Sequence, residues 1–380
     1  MSDSDFIIKS INNANWEHEL EIVGFDKSYS HKFSDKFMHK NLKIYNLKIA
    51  QANILKQIAL TVGADCAVHR ETITGKTEFS DVILCGSFSQ LNKIAHKLKG
   101  QPFSLSNLGE NILNQLFEKH NKTKLVGILN ITPNSFSDGG DFLDFENAKK
   151  HLNQLIIDGA DIIDIGAEST KPYSKPISSE EQLKRLVPIL EYIKLKEIKT
   201  PISIDTRNAE VAQKCIDFGV SIINDVSGFD FDKKMADVIT NNPQIKIILQ
   251  HSQGTPETMQ DAPHYENLMD EIFINLKTKI DFALSKGIKK ENIIIDPGIG
   301  FGKTKAHNME ILKRWQELKT FGCPILIGLS RKSLLGMPEA TNEEKDIYTL
   351  ALDSVLITQK IDYIRVHNVK LHKTFQDMLN

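Results

Sequence analysis

From Lys124 onward, short apolar runs alternate with longer stretches whose apolar residues recur every three or four positions. The runs are KLVGILN (124–130), DIIDIG (161–166), PISIDT (201–206), VSIINDV (220–226), IKIILQH (245–251), NIIIDPG (292–298), CPILIGLS (323–330) and DYIRVH (362–367). Most are rich in Ile and Val and apolar at both alternating positions, as parallel strands buried on two faces must be. The stretches between them read as amphipathic helices. In FENAKKHLNQLIIDGA, Ala148, Leu152, Leu155 and Ile156 share one face, and Gly159 falls where a C-terminal cap belongs. Ser178 and Glu181 form a candidate capping box ahead of QLKRLVPILEYI, and Pro188 is expected to kink that helix or end it early. A last helix is expected over VKLHKTFQDML. Eight strand–helix units in about 255 residues predict an α/β fold, an eight-stranded (β/α) barrel of the TIM type. A doubly wound open sheet is the alternative, because closure leaves no mark on a sequence.

The first 120 residues have another rhythm. LKIAQANILKQIALTVG predicts a helix ending at Gly63, DCAVHR and DVILCG predict strands, and SQLNKIAHKLK predicts a second helix. The expected organisation is a small α/β domain over 1–120, a linker in HNKTK (120–124), and the barrel over 124–380. His69, Arg70 and Glu71 stand together in the small domain, but a charged strand end accounts for them.

The polar residues of the second part collect where its apolar runs end. The first run leads through Asn130 into LNITPNSFSDGG, a loop full of hydroxyl, amide and glycine residues. The second ends in Glu168 and Thr170, the third in Asp205, Thr206 and Arg207, and the fourth in Asn224 and Asp225. The fifth gives His251, Ser252 and Gln253, and the sixth gives Asp296 followed by PGIGFGK. The seventh ends in Ser330, Arg331, Lys332 and Ser333, and the eighth in Arg365 and His367. Any one of these could be a helix cap. As a set they are not caps, because Asp205 and Asn224 belong to the strands, where an unpaired polar group is costly. In a barrel these ends converge on the face that carries active sites.

Composition sharpens this picture. The chain has 380 residues, 41% hydrophobic and 25% charged, with a formal charge of −2, so nothing points to a nucleic-acid or membrane-surface partner. No apolar run is long enough to span a membrane, and Cys66, Cys85, Cys215 and Cys323 lie far apart without a C-x-x-C. They read as free thiols of a cytoplasmic protein. Positive charge is carried mostly by Lys; the arginines are Arg70, Arg185, Arg207, Arg314, Arg331 and Arg365. Three of them lie at strand ends, and only Arg offers a planar fork for phosphate. Arg331, Lys332, Arg365 and His367 on neighbouring strands therefore suit a diphosphate, whereas Asp205, Asn224 and Asp296 suit a flat, nitrogen-rich heterocycle. GIGFGKT is not a P-loop: Pro297 stands where the first glycine would be required, and it follows the sixth strand. It reads as a tight glycine turn that brings Phe301 toward a ligand.

GILNITPNSFSDGG, GAEST-K-P, SIDT, IINDVSG, IIDPGIGFGK, GLSRKS and IRVH, in this order from Leu125 to the C-terminus, resemble the dihydropteroate synthases. The resemblance implies displacement of diphosphate from (7,8-dihydropterin-6-yl)methyl diphosphate by the amine of 4-aminobenzoate, giving dihydropteroate. It implies that Asp205, Asn224, Asp296 and Lys332 hold the pterin, and that Asn130 ligates a Mg²⁺ ion carried by the diphosphate. Arg365 and His367 would close on the phosphates. Thr170, Lys171, Phe301 and Ser333 would shape the aminobenzoate side with Phe136 above it, and Asp138 of the first loop would lie near a developing pterin cation. A homodimer is also implied. The chain departs from the family pattern at Asn134, at Lys171 and Tyr173 of the second loop, and at Gln250 and Ser252 beside His251. The N-terminal stretch is short for a fused pterin pyrophosphokinase, which leaves it a structural, docking or oligomerisation role. Two rivals remain: a methyltransferase on the same barrel, which would have no use for SRKS and RVH, and a non-catalytic pterin-binding protein.

Overall fold

The computed structural model describes residues 9, 16–116, 122–132, 140–168, 174, 176–254, 258–332 and 339–379. Two compact units divide the chain, Met1–Lys119 and His120–Asn380.

The first unit runs α1 (Trp16–Ile22), α2 (Ser30–Phe37), β1 (His39–Lys48), α3 (Ile49–Thr61), β2 (Asp65–Ala67), β3 (Phe79–Ser87), α4 (Phe88–Leu98) and α5 (Leu105–Asn114). Its sheet is antiparallel in the order β1-β3-β2. Val82 and Leu84 of β3 and Cys66 of β2 turn one face of the sheet onto Leu55 and Ala59 of α3 and Leu91, Ile94 and Leu98 of α4. Ser87 and Gln90 cap α4 reciprocally, which starts that helix directly at the strand end. His69, Arg70 and Glu71 form a single short turn in which the His69 ring accepts from the Glu71 N–H, so the cluster is a local cap. β1 escaped the sequence reading: Leu42 and Ile44 alternate with polar residues, but a register shift between Ile44 and Leu47 breaks the period, and Lys40, Lys43 and Lys48 masked a strand with only one packed face.

The second unit repeats strand and helix: β4 (Lys124–Asn130), α6 (Gly140–Ile157), β5 (Ile162–Gly166), α7 (Ser179–Leu195), β6 (Ile202–Asp205), α8 (Ala209–Asp217), β7 (Ile222–Asp225) and α9 (Lys234–Asn241). It continues with β8 (Lys246–Gln250), α10 (Leu268–Ser285), β9 (Ile293–Asp296), α11 (Lys305–Arg314), β10 (Leu326–Ile327), α12 (Asn342–Thr358), β11 (Tyr363–Val366) and α13 (Val369–Met378). All eight strands are parallel in the order β10-β11-β4-β5-β6-β7-β8-β9, and the bridge between Ile295 and Ile325 joins β9 to the strand at the other end. The sheet is a closed (β/α) barrel, and the open-sheet alternative falls.

Pro188 behaves differently from expectation. α7 continues through it from Ser179 to Leu195. A proline forfeits one backbone bond, but Leu186, Ile189, Leu190 and Ile193 bury this helix against the barrel, and that burial outweighs the loss. Ser178 caps α7 by accepting from the Glu181 N–H.

The barrel interior is layered. Val126, Ile162, Ile222, Ile248, Ile294, Leu326 and Tyr363 form its apolar floor. Side chains two positions further along a strand point the same way, one layer nearer the C-terminal mouth. That step leads from Ile162 to Asp164, from Ile222 to Asn224, from Ile294 to Asp296 and from Tyr363 to Arg365. The polar site is therefore the second storey of a core whose first storey is hydrocarbon.

Candidate active site

The strand register lines Asn130, Gly166, Asp205 and Asn224 up across β4, β5, β6 and β7. Gly166 leaves open the space where its Cβ would lie 3.3 Å from Asn130 Oδ1 and 3.5 Å from Asp205 Cβ. Across the mouth, Arg365 donates from Nε to Asp164 Oδ2 at 2.6 Å and from Nη2 to Asp205 Oδ2 at 3.0 Å. Burial pushes the Asp205 carboxyl up to about 7 despite the Arg365 charge that opposes it. For Arg365 the balance is opposite: burial works against the cation, but the Asp164 and Asp205 carboxylates overcome it and raise its pKa.

On the far side, Asp296 accepts from the Gly298 N–H at 2.7 Å, and burial holds its carboxyl above the ordinary range against the nearby Lys332, Lys303 and Arg365. Lys332 donates to the Ile299 carbonyl at 2.6 Å and lies 4.7 Å from the centre of the Phe301 ring. Burial brings its ammonium down to about 8, with Asp296 resisting. Lys332 and Phe301 are thus one contact pair beside Asp296.

The glycine turn between them has a steric cause. A Cβ on Gly298, at φ +71°, would sit 1.8 Å from the His251 carbonyl oxygen, and one on Gly302 would sit 2.4 Å from that of Gln253. Backbone approaches this close admit only glycine. Lys303 ends the turn buried, donating to the Phe301 carbonyl at 3.0 Å and lying 2.9 Å from His251 Nδ1. It braces the turn from inside and is no phosphate-binding lysine.

His367 meets the Ser330 hydroxyl twice: its backbone N–H donates to Oγ at 3.1 Å, and Nδ1 lies 2.8 Å from the same atom. An oxygen that accepts from the backbone is best used by giving its own proton to Nδ1, which leaves the ring N–H on Nε2. Burial, with Arg331 and Arg365 adding to it, lowers the His367 pKa to about 3. A histidine kept neutral in the fold and free to protonate when unfolded supplies stability that is complete above pH 6.5 and is lost as pH falls toward 3. His367→Gln should therefore flatten the decline in unfolding free energy, read from urea titrations, between pH 6.5 and pH 5, by about 1–2 kcal/mol relative to the parent. An unchanged difference between the two proteins across that range would contradict the buried neutral imidazole.

Two of the strand-end arginines do other work than the sequence suggested. Arg331, expected beside the phosphates, spends its fork on Asp346 of α12 at 2.7 and 2.8 Å. Arg207 pairs with Glu168 at 3.0 Å and lies 4.2 Å from the centre of the Phe231 ring. Gln182 joins this pair by donating to Glu168 and accepting from Thr206, tying the ends of β5 and β6 to α7. Asp225 is a turn-former, accepting from the N–H groups of Ser227 and Phe229. Asp164, absent from the sequence expectations, is the new member. Its position inside DIIDIG is the signal, a carboxylate in mid-strand between isoleucines. Phe136, Asp138, Thr170, Lys171 and Ser333 lie outside the described residues.

Buried carboxylates and an amide facing one guanidinium, above an apolar floor at the mouth of a closed barrel, make a site for a polar heterocycle with an anionic arm. Residues 126–367 match the family described as "Pterin binding enzyme". A dihydropteroate synthase of Clostridium beijerinckii is 43% identical over 250 residues, 65% of this chain and 90% of that protein. A bifunctional dihydropteroate synthase/dihydropteroate reductase of Helicobacter pylori is 32% identical over 370 residues, 96% of both chains. The crystal structure of a dihydropteroate synthase from Clostridium difficile, obtained in the presence of pteroic acid, superposes with a TM-score of 0.64 at 40% identity. It covers 69% of this chain and 97% of that one. The chain belongs to the dihydropteroate synthase family of pterin-binding barrel enzymes, transferases of folate synthesis.

Proposed function

We propose that this site joins (7,8-dihydropterin-6-yl)methyl diphosphate to 4-aminobenzoate, with a specific division of labour among its residues. Asp205, Asn224, Asp296 and Lys332 hold the pterin, and Arg365 with His367 take the diphosphate. Phe301 forms a wall for the aminobenzoate. Phe136, Asp138, Thr170, Lys171 and Ser333 belong to the same site by their place in the family motifs. The methylene C–O bond breaks, diphosphate leaves with the electron pair, and the aminobenzoate nitrogen forms the new C–N bond and loses a proton. The observation that carries this reading is Arg365, a guanidinium shared by two buried carboxylates within one layer of Asn224. A pterin edge can take over the carboxylate while the diphosphate takes over the guanidinium.

Magnesium fits this arrangement as an ion arriving with the diphosphate. Among the described residues no cluster of three or more His, Cys, Asp or Glu suits a metal. Asn130 supplies a neutral amide oxygen at the mouth, enough for a hard ion that keeps phosphate oxygens and water as its other ligands. When bound, the ion would neutralise charge growing on the leaving diphosphate.

A homodimer is supported by α12, whose residues Ile347, Ala351 and Val355 recur at four-residue spacing on its exposed face. Sedimentation of the full chain reads it directly. A cytoplasmic setting is supported by four free cysteines, and among the described residues no helix is long and apolar enough to cross a membrane. Reduction of the product as a second activity of this chain is favoured by the bifunctional Helicobacter pylori relative, whose match spans 96% of this chain.

The test is diphosphate release by the purified chain, with Mg²⁺ and the dihydropterin diphosphate ester, with and without 4-aminobenzoate. Release that needs both organic substrates and the ion, with dihydropteroate in equal amount, is the expected result. No release, or release indifferent to the ion, removes the proposed chemistry. Adding a nicotinamide or flavin hydride donor to the same mixture reads the second activity as tetrahydropteroate, and its absence confines the chain to synthesis.

A further inference from the structure

Beside the residues assigned to substrate, in the same layer, lies a carboxylate that none of the proposed substrate contacts uses. Asp164 is fully buried on β5, one layer above the apolar floor. Its Oδ2 accepts from Arg365 Nε at 2.6 Å and from Asn224 Nδ2 at 3.1 Å. Three nearby strands leave buried polar atoms without a partner, namely Asp164 Oδ1, Ser203 Oγ and Asn224 Oδ1, and Asp164 stands in register with Ser203.

We propose that Asp164 is a positioning residue that sets the donor–acceptor polarity of the pterin pocket through Asn224 and Arg365. An amide has two orientations of nearly equal shape, and only its partners decide between them. A carboxylate accepts and cannot donate, so Asp164 draws the Asn224 NH₂ group toward itself and leaves Oδ1 as the atom without a partner. A buried acceptor in that state is relieved by a ligand N–H and made worse by a ligand acceptor. The pocket thereby selects a heterocycle edge that presents a donor at this point. The same carboxylate holds Arg365 by Nε, which leaves the terminal nitrogens of the guanidinium facing Asp205 and the mouth. One buried charge aligns the group that reads the ring and the group that meets the diphosphate.

The inference rests on the reading that Asn224 and Arg365 touch substrate, so the experiment includes both. Affinity for the dihydropterin diphosphate ester is measured by calorimetry for Asp164→Asn, Asn224→Ala, Arg365→Gln and the exchange Asp164→Asn/Asn224→Asp. KM for 4-aminobenzoate is measured alongside. Asp164→Asn should weaken the ester about 100-fold, the worth of hydrogen bonds to a charged group, and leave the KM for aminobenzoate within about twofold. The exchange puts the amide on β5 and the carboxylate on β7. It keeps an acceptor toward the ligand, so affinity should return to within about tenfold of the parent. If Asn224→Ala and Arg365→Gln bind the ester like the parent, the substrate contacts themselves are wrong and the inference goes with them. If those two lose affinity and Asp164→Asn does not, only the positioning role fails. An equal rise in aminobenzoate KM means general damage and also overturns it. Should Asp164→Asn not fold, the exchange variant decides alone: folded and binding supports the role, folded and not binding ends it.

Discussion

Arg365→Ala is expected to lower turnover by about 10²–10³-fold, the scale of losing a preorganised donor to a developing anion. The same substitution should also destabilise the fold. Arg365 is the shared partner of Asp164 and Asp205, and its removal leaves two buried carboxylates without their cation. Breaking a buried pair from one side costs about 3–5 kcal/mol. The two effects separate by pH. Without Arg365 the Asp205 carboxyl should climb above its value of about 7, because the largest opposing charge is gone. A carboxyl raised in the folded state contributes stability while protonated and loses that contribution as pH rises through its folded pKa. The deficit in melting temperature should thus be smaller at pH 6 than at pH 8, whereas the loss of turnover should persist at both. Arg365→Lys, which keeps the charge and discards the fork, should fall between the parent and the alanine variant. Turnover close to the parent in a folded alanine variant would remove Arg365 from the diphosphate site.

Asp296→Asn should raise the dissociation constant for the pterin by about 100-fold and affect turnover at saturating pterin much less. Asp296 Oδ1 is occupied by the Gly298 N–H, an interaction the amide oxygen can keep. The other carboxylate oxygen becomes an NH₂ group, and against a ring N–H and exocyclic amine it sets donor against donor. A second consequence falls on Lys332. Asp296 is the largest charge supporting its ammonium, which already sits at about 8, so the variant's lysine should lose its proton at lower pH. The alkaline limb of the pH–rate profile should move to lower pH accordingly. Calorimetry with the pterin ester decides the first point; unchanged affinity would take Asp296 out of the pterin pocket.

The two halves of the chain differ in how far they can be read. In the barrel, β4 coincides with the run from Lys124 to Asn130, and seven further strands fall inside their apolar runs. A strand covered on both faces is apolar throughout, and that composition survives without any knowledge of its neighbours. β1 shows the converse, because a one-faced strand studded with lysines resembles a solvated segment until its partner β3 is in place. The glycines of PGIGFGK were legible as a turn, but the contacts of Gly298 and Gly302 with the backbones of His251 and Gln253 come from a different strand's loop.

For the site, residue type and place in the chain sufficed to nominate Asp205, Asn224, Asp296, Lys332, Arg365 and His367, since a polar group at the end of an apolar strand is costly unless something uses it. Type could not sort the arginines. Arg207, Arg331 and Arg365 have the same side chain at the same kind of strand end, and only packing shows that Glu168 engages the first and Asp346 the second. Nor could it reveal Asp164, which is 201 positions from Arg365 along the chain and 2.6 Å away in space. Hydrophobic period and strand-end chemistry are local, and one sequence states them in full. Which cation meets which anion depends on closure of eight strands, a long-range event that no stretch of this chain encodes by itself.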